Sequence, residues 1–221
     1  MSPAGHRAAA ICALGGAILL CVGTYLHPSS ADPNDTLAAF AEYAADSHWV
    51  ATHLIQLAGV ALMVTSLLLL SPSLEAAHPT AWVRVAMGGA SAGLAVAAAL
   101  QAVDGIALKR VVDAWAAAPV AEKAAAFRAA FAVRQIEVGL ASMLSLVLGA
   151  AVVAYAGLFL AARSTPRWLA FVALLGGIST VVAGVALAET GFSDLAMSIE
   201  MPSGVLLLVW MALLAPRVWR R

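Results

Sequence analysis

Six long apolar runs, parted by short polar stretches, order the chain: about residues 8–26, 49–70, 82–108, 133–162, 168–188 and 199–216. A helix needs about 20 apolar residues to cross the hydrocarbon layer of a bilayer, so each run predicts a membrane-spanning helix. The third and fourth exceed that length and are expected to tilt or protrude. The sixth is the shortest. Its purely apolar part starts only at Ser203, and it spans if the helix begins nearer Met197, with Pro202 in the first turn, where a missing N–H is tolerated. Five spans and a re-entrant end are the alternative. The first run follows Arg7 and precedes Ser29-Ser30-Ala31, the outline of a cleaved leader, but its length favours a retained helix.

The connections on one side carry helical periodicity of their own. In residues 28–48, Leu37, Phe40 and Ala44 recur at helical spacing, with Asp35, Glu42 and Asp46 opposite. That pattern predicts an amphipathic surface helix. In residues 109–132, Pro119 stands at a helix start, followed by Val120, Phe127 and Phe131 among Glu122, Lys123 and Arg128. The connection at 189–200 is shorter. The fold class expected is all-α: a polytopic six-helix membrane bundle built as three helical hairpins, with two amphipathic outer connecting helices, forming one integral membrane domain over residues 1–221.

Finer signals sit within this frame. Ser71-Pro72-Ser73 is expected to close the second span, and Ser164-Thr165-Pro166 to turn the fourth into the fifth. Trp49, Trp82, Trp168 and Trp219 fall near span ends, where an indole suits a membrane interface. Gly88, Gly89 and Gly93, then Gly176, Gly177 and Gly184, offer small faces for close helix packing. Thr52–Leu57 can be laid on Val133–Val138, with polar residues at i and i+3 in both. The identity is too low to establish a repeat.

Composition agrees with the pattern. Hydrophobic residues make up 63% of the chain and charged residues 11%. A soluble domain is about 25% charged, so a water-soluble globule, a disordered chain, a coiled coil and a nucleic-acid binder are excluded. Twelve Lys and Arg balance twelve Asp and Glu, and only their distribution informs. Arg7, Arg84, Arg163, Arg167, Arg217, Arg220 and Arg221 lie in short segments on one side, which places both termini in the cytoplasm. Lys109, Arg110, Lys123, Arg128 and Arg134 dissent, in a longer connection. Of the acids, only Glu75 then falls inside. Cys12 and Cys21 share the first run without a metal-knuckle spacing and read as small buried thiols. The alanine-rich composition is what GC-rich DNA encodes, and the expected location is a bacterial plasma membrane, multi-pass. The lipid bilayer is the first partner, with a homo-oligomer or a larger membrane complex beyond it.

The candidate chemistry lies inside the spans. His27, His53, Asp104, Glu137 and Glu189 stand at or just within the same ends of five runs. Gln56, Gln101 and Arg134 lie three residues from His53, Asp104 and Glu137, on the same helix faces. A central Asp costs about 2.5–3.5 kcal/mol on insertion scales, so these side chains are expected to turn inward, into a recess open to the outer side. The ligand-binding set is His53, Gln56, Gln101, Asp104, Arg134, Glu137 and Glu189. For a transition metal the donors are His27, His53, Asp104, Glu137 and Glu189. The Glu-x-x-His spacing of di-metal bundles is absent, and Arg134 opposes a crowded cation. A haem b between His27 and His53 is a second option. A third is a site for a lipid-like or small polar substrate, with His53 or Glu137 as base and Arg134 or Lys109 holding an anionic group. No sequence motif marks a nucleophile. His48 reads as interfacial, and His6 and His78 as cytoplasmic. The resulting expectation is a multi-pass bacterial membrane protein whose outward-facing His/carboxylate pocket binds a small ligand, metal or cofactor. The competing reading is a non-catalytic structural or accessory subunit of a larger membrane complex, its polar cluster a packing network.

Overall fold

Alanine, leucine and other apolar residues fill the six runs, and each run winds into helix. In the computed structural model, residues 1–75, 79–162 and 165–220 are described, and no strand occurs among them. The helices are α1 (Pro3–Leu26), α2 (Thr36–Ala45), α3 (Trp49–Glu75), α4 (Thr80–Gln101), α5 (Lys109–Ala117), α6 (Lys123–Ala162), α7 (Arg167–Thr190) and α8 (Asp194–Trp219). A π-helical segment, Ala102–Leu108, joins α4 to α5 without a break. Six of these stretches are long and apolar enough to cross a membrane, with α4 and α5 counting as one. The expectations for His78, Arg163, Ser164 and Arg221 lie outside the described residues.

Local chemistry sets the helix starts. Ser2 caps α1 by accepting from the Gly5 N–H, with Pro3 next, where its lost donor is harmless. Asp35 caps α2 through the Ala38 N–H, and Ser193 caps α8 through the Ala196 N–H. Gly191 ends α7 at φ +64°, a conformation that favours glycine.

The six long helices close in chain order into a ring. α1 packs on α3, α3 on α4, α4 on α6, α6 on α7, α7 on α8, and α8 returns to α1. The most extensive interface, α6 with α7, runs between two of the expected hairpins rather than within one. Close approach explains it. A Cβ on Gly177 would stand 3.0 Å from the Gly149 carbonyl oxygen, so only hydrogen at both positions allows this separation. Buried hydroxyls add cross-links: Ser142 donates to the Gly184 carbonyl at 2.8 Å, and Ser71 meets the Tyr155 hydroxyl at 2.8 Å. Towards the outside, Ile11, Leu14, Ile18 and Val22 of α1 and Phe171, Leu175, Ile178, Val182 and Val185 of α7 are exposed at helical spacing.

Several expectations are corrected. The second connection holds no separate surface helix. α5 prolongs the third run and the start of α6 precedes the fourth, so residues 109–132 are two helix extensions meeting near Pro119. The alanine-rich stretch from Lys123 gives helix propagation no reason to stop. Pro72 does not close α3, which continues to Glu75. α8 starts at Asp194, because Ser193 caps it, and Pro202 lies in its interior. Trp49 is fully buried, whereas Trp82, Trp168 and Trp219 are exposed. Gly88 touches no neighbour, so it contributes no packing face.

Gly177→Val is expected to lower stability by about 1–3 kcal/mol, the usual effect of overpacking. Gly88→Ala is expected to leave it unchanged or raise it slightly. Thermal unfolding of the detergent-solubilised variants checks both; equal losses would contradict the packing described.

Candidate functional site

The polar residues gather at one end of the ring. The opposite end holds Arg7, whose guanidinium lies 5.6 Å from the ring centre of Trp219. At the polar end, α3 begins with Trp49, and His53 follows one turn later on the same face. The His53 Nδ1 lies 2.7 Å from the Trp49 carbonyl oxygen, and its Nε2 lies 3.0 Å from Asp104 Oδ2. Asp104 sits in the π-helical segment, whose wider turn disturbs the regular backbone ladder. The Trp49 indole N–H donates to the Asp104 carbonyl at 3.0 Å. The next residue, Gly105, makes this approach possible: a Cβ there would stand 2.6 Å from the His53 Cβ. The His27 ring, just past the end of α1, packs against both Trp49 and His53 with centroids 5.0 Å apart in each case.

A second pair lies on α6, the neighbouring helix. There, Arg134 Nη1 donates to both Glu137 carboxylate oxygens at 2.9 Å, and the two side chains are 8% and 4% exposed. The guanidinium also faces the rings of Tyr43 and Phe192 at 5.6 and 4.7 Å. Burial, foremost, pushes the Tyr43 phenol up to about 12, so it remains a neutral hydroxyl.

Between the pairs opens a chamber of about 580 Å³, lined among others by His27, Tyr43, Gln101, Asp104, Arg134 and Glu137. A second cavity of about 270 Å³ lies deeper in the ring, lined mainly by aliphatic residues with Met63, Trp210 and Met211. All six long helices contribute to it, and Gln56, Gln101 and Glu200 line both spaces. Gln101 Nε2 donates to Gln56 Oε1 at 3.4 Å between the two. Above the chamber, α2, α5 and the start of α6 form an aromatic roof in which Phe40 meets Trp115 and Phe127. The loop after α1 is tied down by Glu42, which accepts the Ser30 and Ala31 N–H groups at 2.9 Å each.

Of the residues expected in the site, Gln56, Gln101, Asp104, Arg134 and Glu137 line the chamber, and His53 stands in the wall behind Asp104. Glu189 does not join them: it is exposed in the last turn of α7, outside the lining of either cavity. Glu200 takes the corresponding place on α8, where it accepts from Ser145 Oγ at 3.2 Å. Its signal in the sequence was the Ser193 cap, which starts α8 early enough to carry Glu200 into the bundle. Lys109 is not free to hold an anion. Its Nζ donates to the Tyr43 and Ala44 carbonyls at the end of α2 and to Asp113. The metal set shrinks as well. His27, His53 and Asp104 bring one donor atom each within 4.8 Å of one another, while Glu137 is engaged by Arg134 and Glu189 is remote from the group. A haem between His27 and His53 needs the two rings on opposite faces of a macrocycle. Here they touch, and both lie against Trp49, so no slot separates them.

No family model, no curated protein and no solved structure matches the chain. The site is therefore read from its own chemistry.

Arg134→Met is expected to destabilise by about 3–5 kcal/mol, because Glu137 is left buried and uncompensated. The double change Arg134→Met, Glu137→Leu is expected to lose less; denaturant unfolding in detergent compares them. At Glu42, partial burial works to raise the pKa, but the Ala31 and Ser30 N–H groups outweigh it and hold the carboxyl below its ordinary value of 4.5. A depressed carboxylate stabilises above its unfolded pKa and loses that stabilisation as pH falls through the folded value. Intrinsic-rate-corrected amide protection at Ser30 and Ala31 is thus expected to hold near about pH 7 and fall towards about pH 3. Glu42→Gln is expected to flatten that profile.

Proposed function

We propose that the chain is a multi-pass protein of a bacterial plasma membrane, with both termini cytoplasmic, and that its chamber binds a small amphiphilic ligand entering from the outer side. The belt of exposed aliphatic side chains around α1 and α7 supports insertion, since a water-exposed apolar surface of that extent is unfavourable. The arginines of the end opposite the chamber support the orientation.

One observation carries the ligand reading: a polar chamber adjoins an apolar one inside the ring, sharing Gln56, Gln101 and Glu200. Binding sites are typically concave, largely apolar, and fitted with a few oriented polar groups. A polar head fits the upper space and an aliphatic tail the lower. The head is neutral or cationic. The upper lining holds Glu42, Asp104, Glu137, Asp194 and Glu200 against a single arginine, itself paired with Glu137.

The competing reading, a packing network in an accessory subunit, is favoured by the pairing of His53 with Asp104 and of Arg134 with Glu137. Native mass spectrometry with dodecylamine separates the two. The ligand reading expects one bound molecule per chain, competed by dodecanol more effectively than by dodecyl sulfate. Gly204→Phe tests the site: Gly204 lines the lower cavity and a Cβ there meets no atom within 4 Å. This variant is expected to fold and to lose binding. Undiminished binding in Gly204→Phe, or none in the parent protein, would favour the network.

A further inference from the structure

His53, His27 and Asp104 share a feature that neither an ion-pair network nor an amphiphile site requires. A backbone carbonyl can only accept, so the His53 Nδ1 that lies 2.7 Å from the Trp49 oxygen carries the hydrogen. The His27 Nδ1, 2.8 Å from the Pro28 oxygen, carries one for the same reason. With Nδ1 so engaged, Nε2 is the nitrogen each ring has left to ligate a cation, once any proton there is lost. The His53 Nε2 lies 3.0 Å from Asp104 Oδ2, where a single shared proton links the two when no metal is bound and a divalent cation would displace that proton. The other oxygen, Asp104 Oδ1, is buried and has no hydrogen-bond partner among the described residues.

We propose that His27, His53 and Asp104 form a site for a divalent first-row transition metal in the wall of the chamber. Two imidazoles and one carboxylate are a donor set that suits such ions, and three protein ligands leave a position open. That position faces the chamber, which both His27 and Asp104 line. Ligating histidines commonly give their second N–H to a backbone carbonyl, which fixes the ring; both histidines do so here. The donors lie within 4.8 Å of one another. Tetrahedral ligation places donors about 3.4 Å apart, so the 3.0 Å His53–Asp104 contact would widen slightly and His27 would close in, each by side-chain adjustment. His27 lies just beyond the end of its helix, and Asp104 lies in the widened π-helical turn. Glu137, Glu200 and Glu42 add negative charge around the same space. The site stands on this geometry alone and does not rest on amphiphile binding.

The test uses the full chain in detergent, stripped with EDTA, exposed to Zn²⁺ and desalted before elemental analysis, with Co²⁺ absorption as a second readout. One Zn²⁺ per chain and a Co²⁺ ligand-field band are expected. His27→Gln and Asp104→Asn, checked for unchanged helicity by circular dichroism, are expected to weaken binding at least about tenfold. His48→Ala, an exposed neighbour in sequence, is expected to bind as the parent does. Gly204→Phe is expected to retain Zn²⁺, which separates this site from the amphiphile reading. A parent protein that keeps no Zn²⁺ after desalting, or a folded His27→Gln or Asp104→Asn that binds as the parent does, would overturn the proposal. So would an equal loss in His48→Ala.

Discussion

A charge buried among apolar helices has to be met by its opposite, because taking an ion out of water still costs several kcal/mol after relaxation. The polar end of the ring is arranged around that constraint. Arg134 and Glu137 satisfy each other within one helix, at the i, i+3 spacing that puts them on one face. Asp104 has no such partner on its own helix and reaches across to His53 on α3. The crossing draws two backbones together, which Gly105 beside Asp104 permits, and the backbone is π-helical there. One pair lies on α6 and one between α3 and the segment after α4, and Asp104, Arg134 and Glu137 from these pairs line the chamber.

The coarse fold was legible because apolar runs long enough to cross a bilayer have few other uses. The inward face was legible for the same energetic reason: His53, Gln56, Gln101, Asp104, Arg134 and Glu137 could not all point into hydrocarbon. What escaped the reading depended on contacts between elements. Periodicity predicts a helix through Asp104 but says nothing of a π-helical turn, which coincides with the Trp49–Asp104 and His53–Asp104 contacts. Lys109 looked like a free cation because its carbonyl partners at Tyr43 and Ala44 are distant in sequence. Glu189 was taken for the fifth member of the layer because it ends a run. A residue in the last turn of a helix projects according to packing, and here it projects outward. Glu200 fell at the border of the 189–200 connection and the sixth run and was not singled out; the Ser193 cap and Gly191 stop, which start α8 at Asp194, were the better guides.

The site has two chemistries layered in one space. Its lining is acidic beyond what Arg134 offsets, which turns it away from anionic groups and towards cations and hydrogen-bond donors. Its floor is aliphatic and sulfur-rich, without a fixed charge other than Glu200 at the border. A head-and-tail ligand matches the vertical division. The proposed metal matches a narrower feature, the His53–Asp104 contact beside His27. The two readings share Asp104 but depend on different atoms, so one can hold without the other.

Both rest on a chamber reached from the polar end of the ring, which the proposed orientation turns outward. Its most direct measurement is cysteine accessibility in intact cells, with Cys12 and Cys21 first replaced by serine. Single cysteines at Gln56, Gln101 and Glu200 are expected to react with a membrane-impermeant thiol reagent added outside, while cysteines at Leu175 and Ile178 stay protected. Protection at all three chamber positions, or labelling at residues 175 and 178 instead, would contradict it.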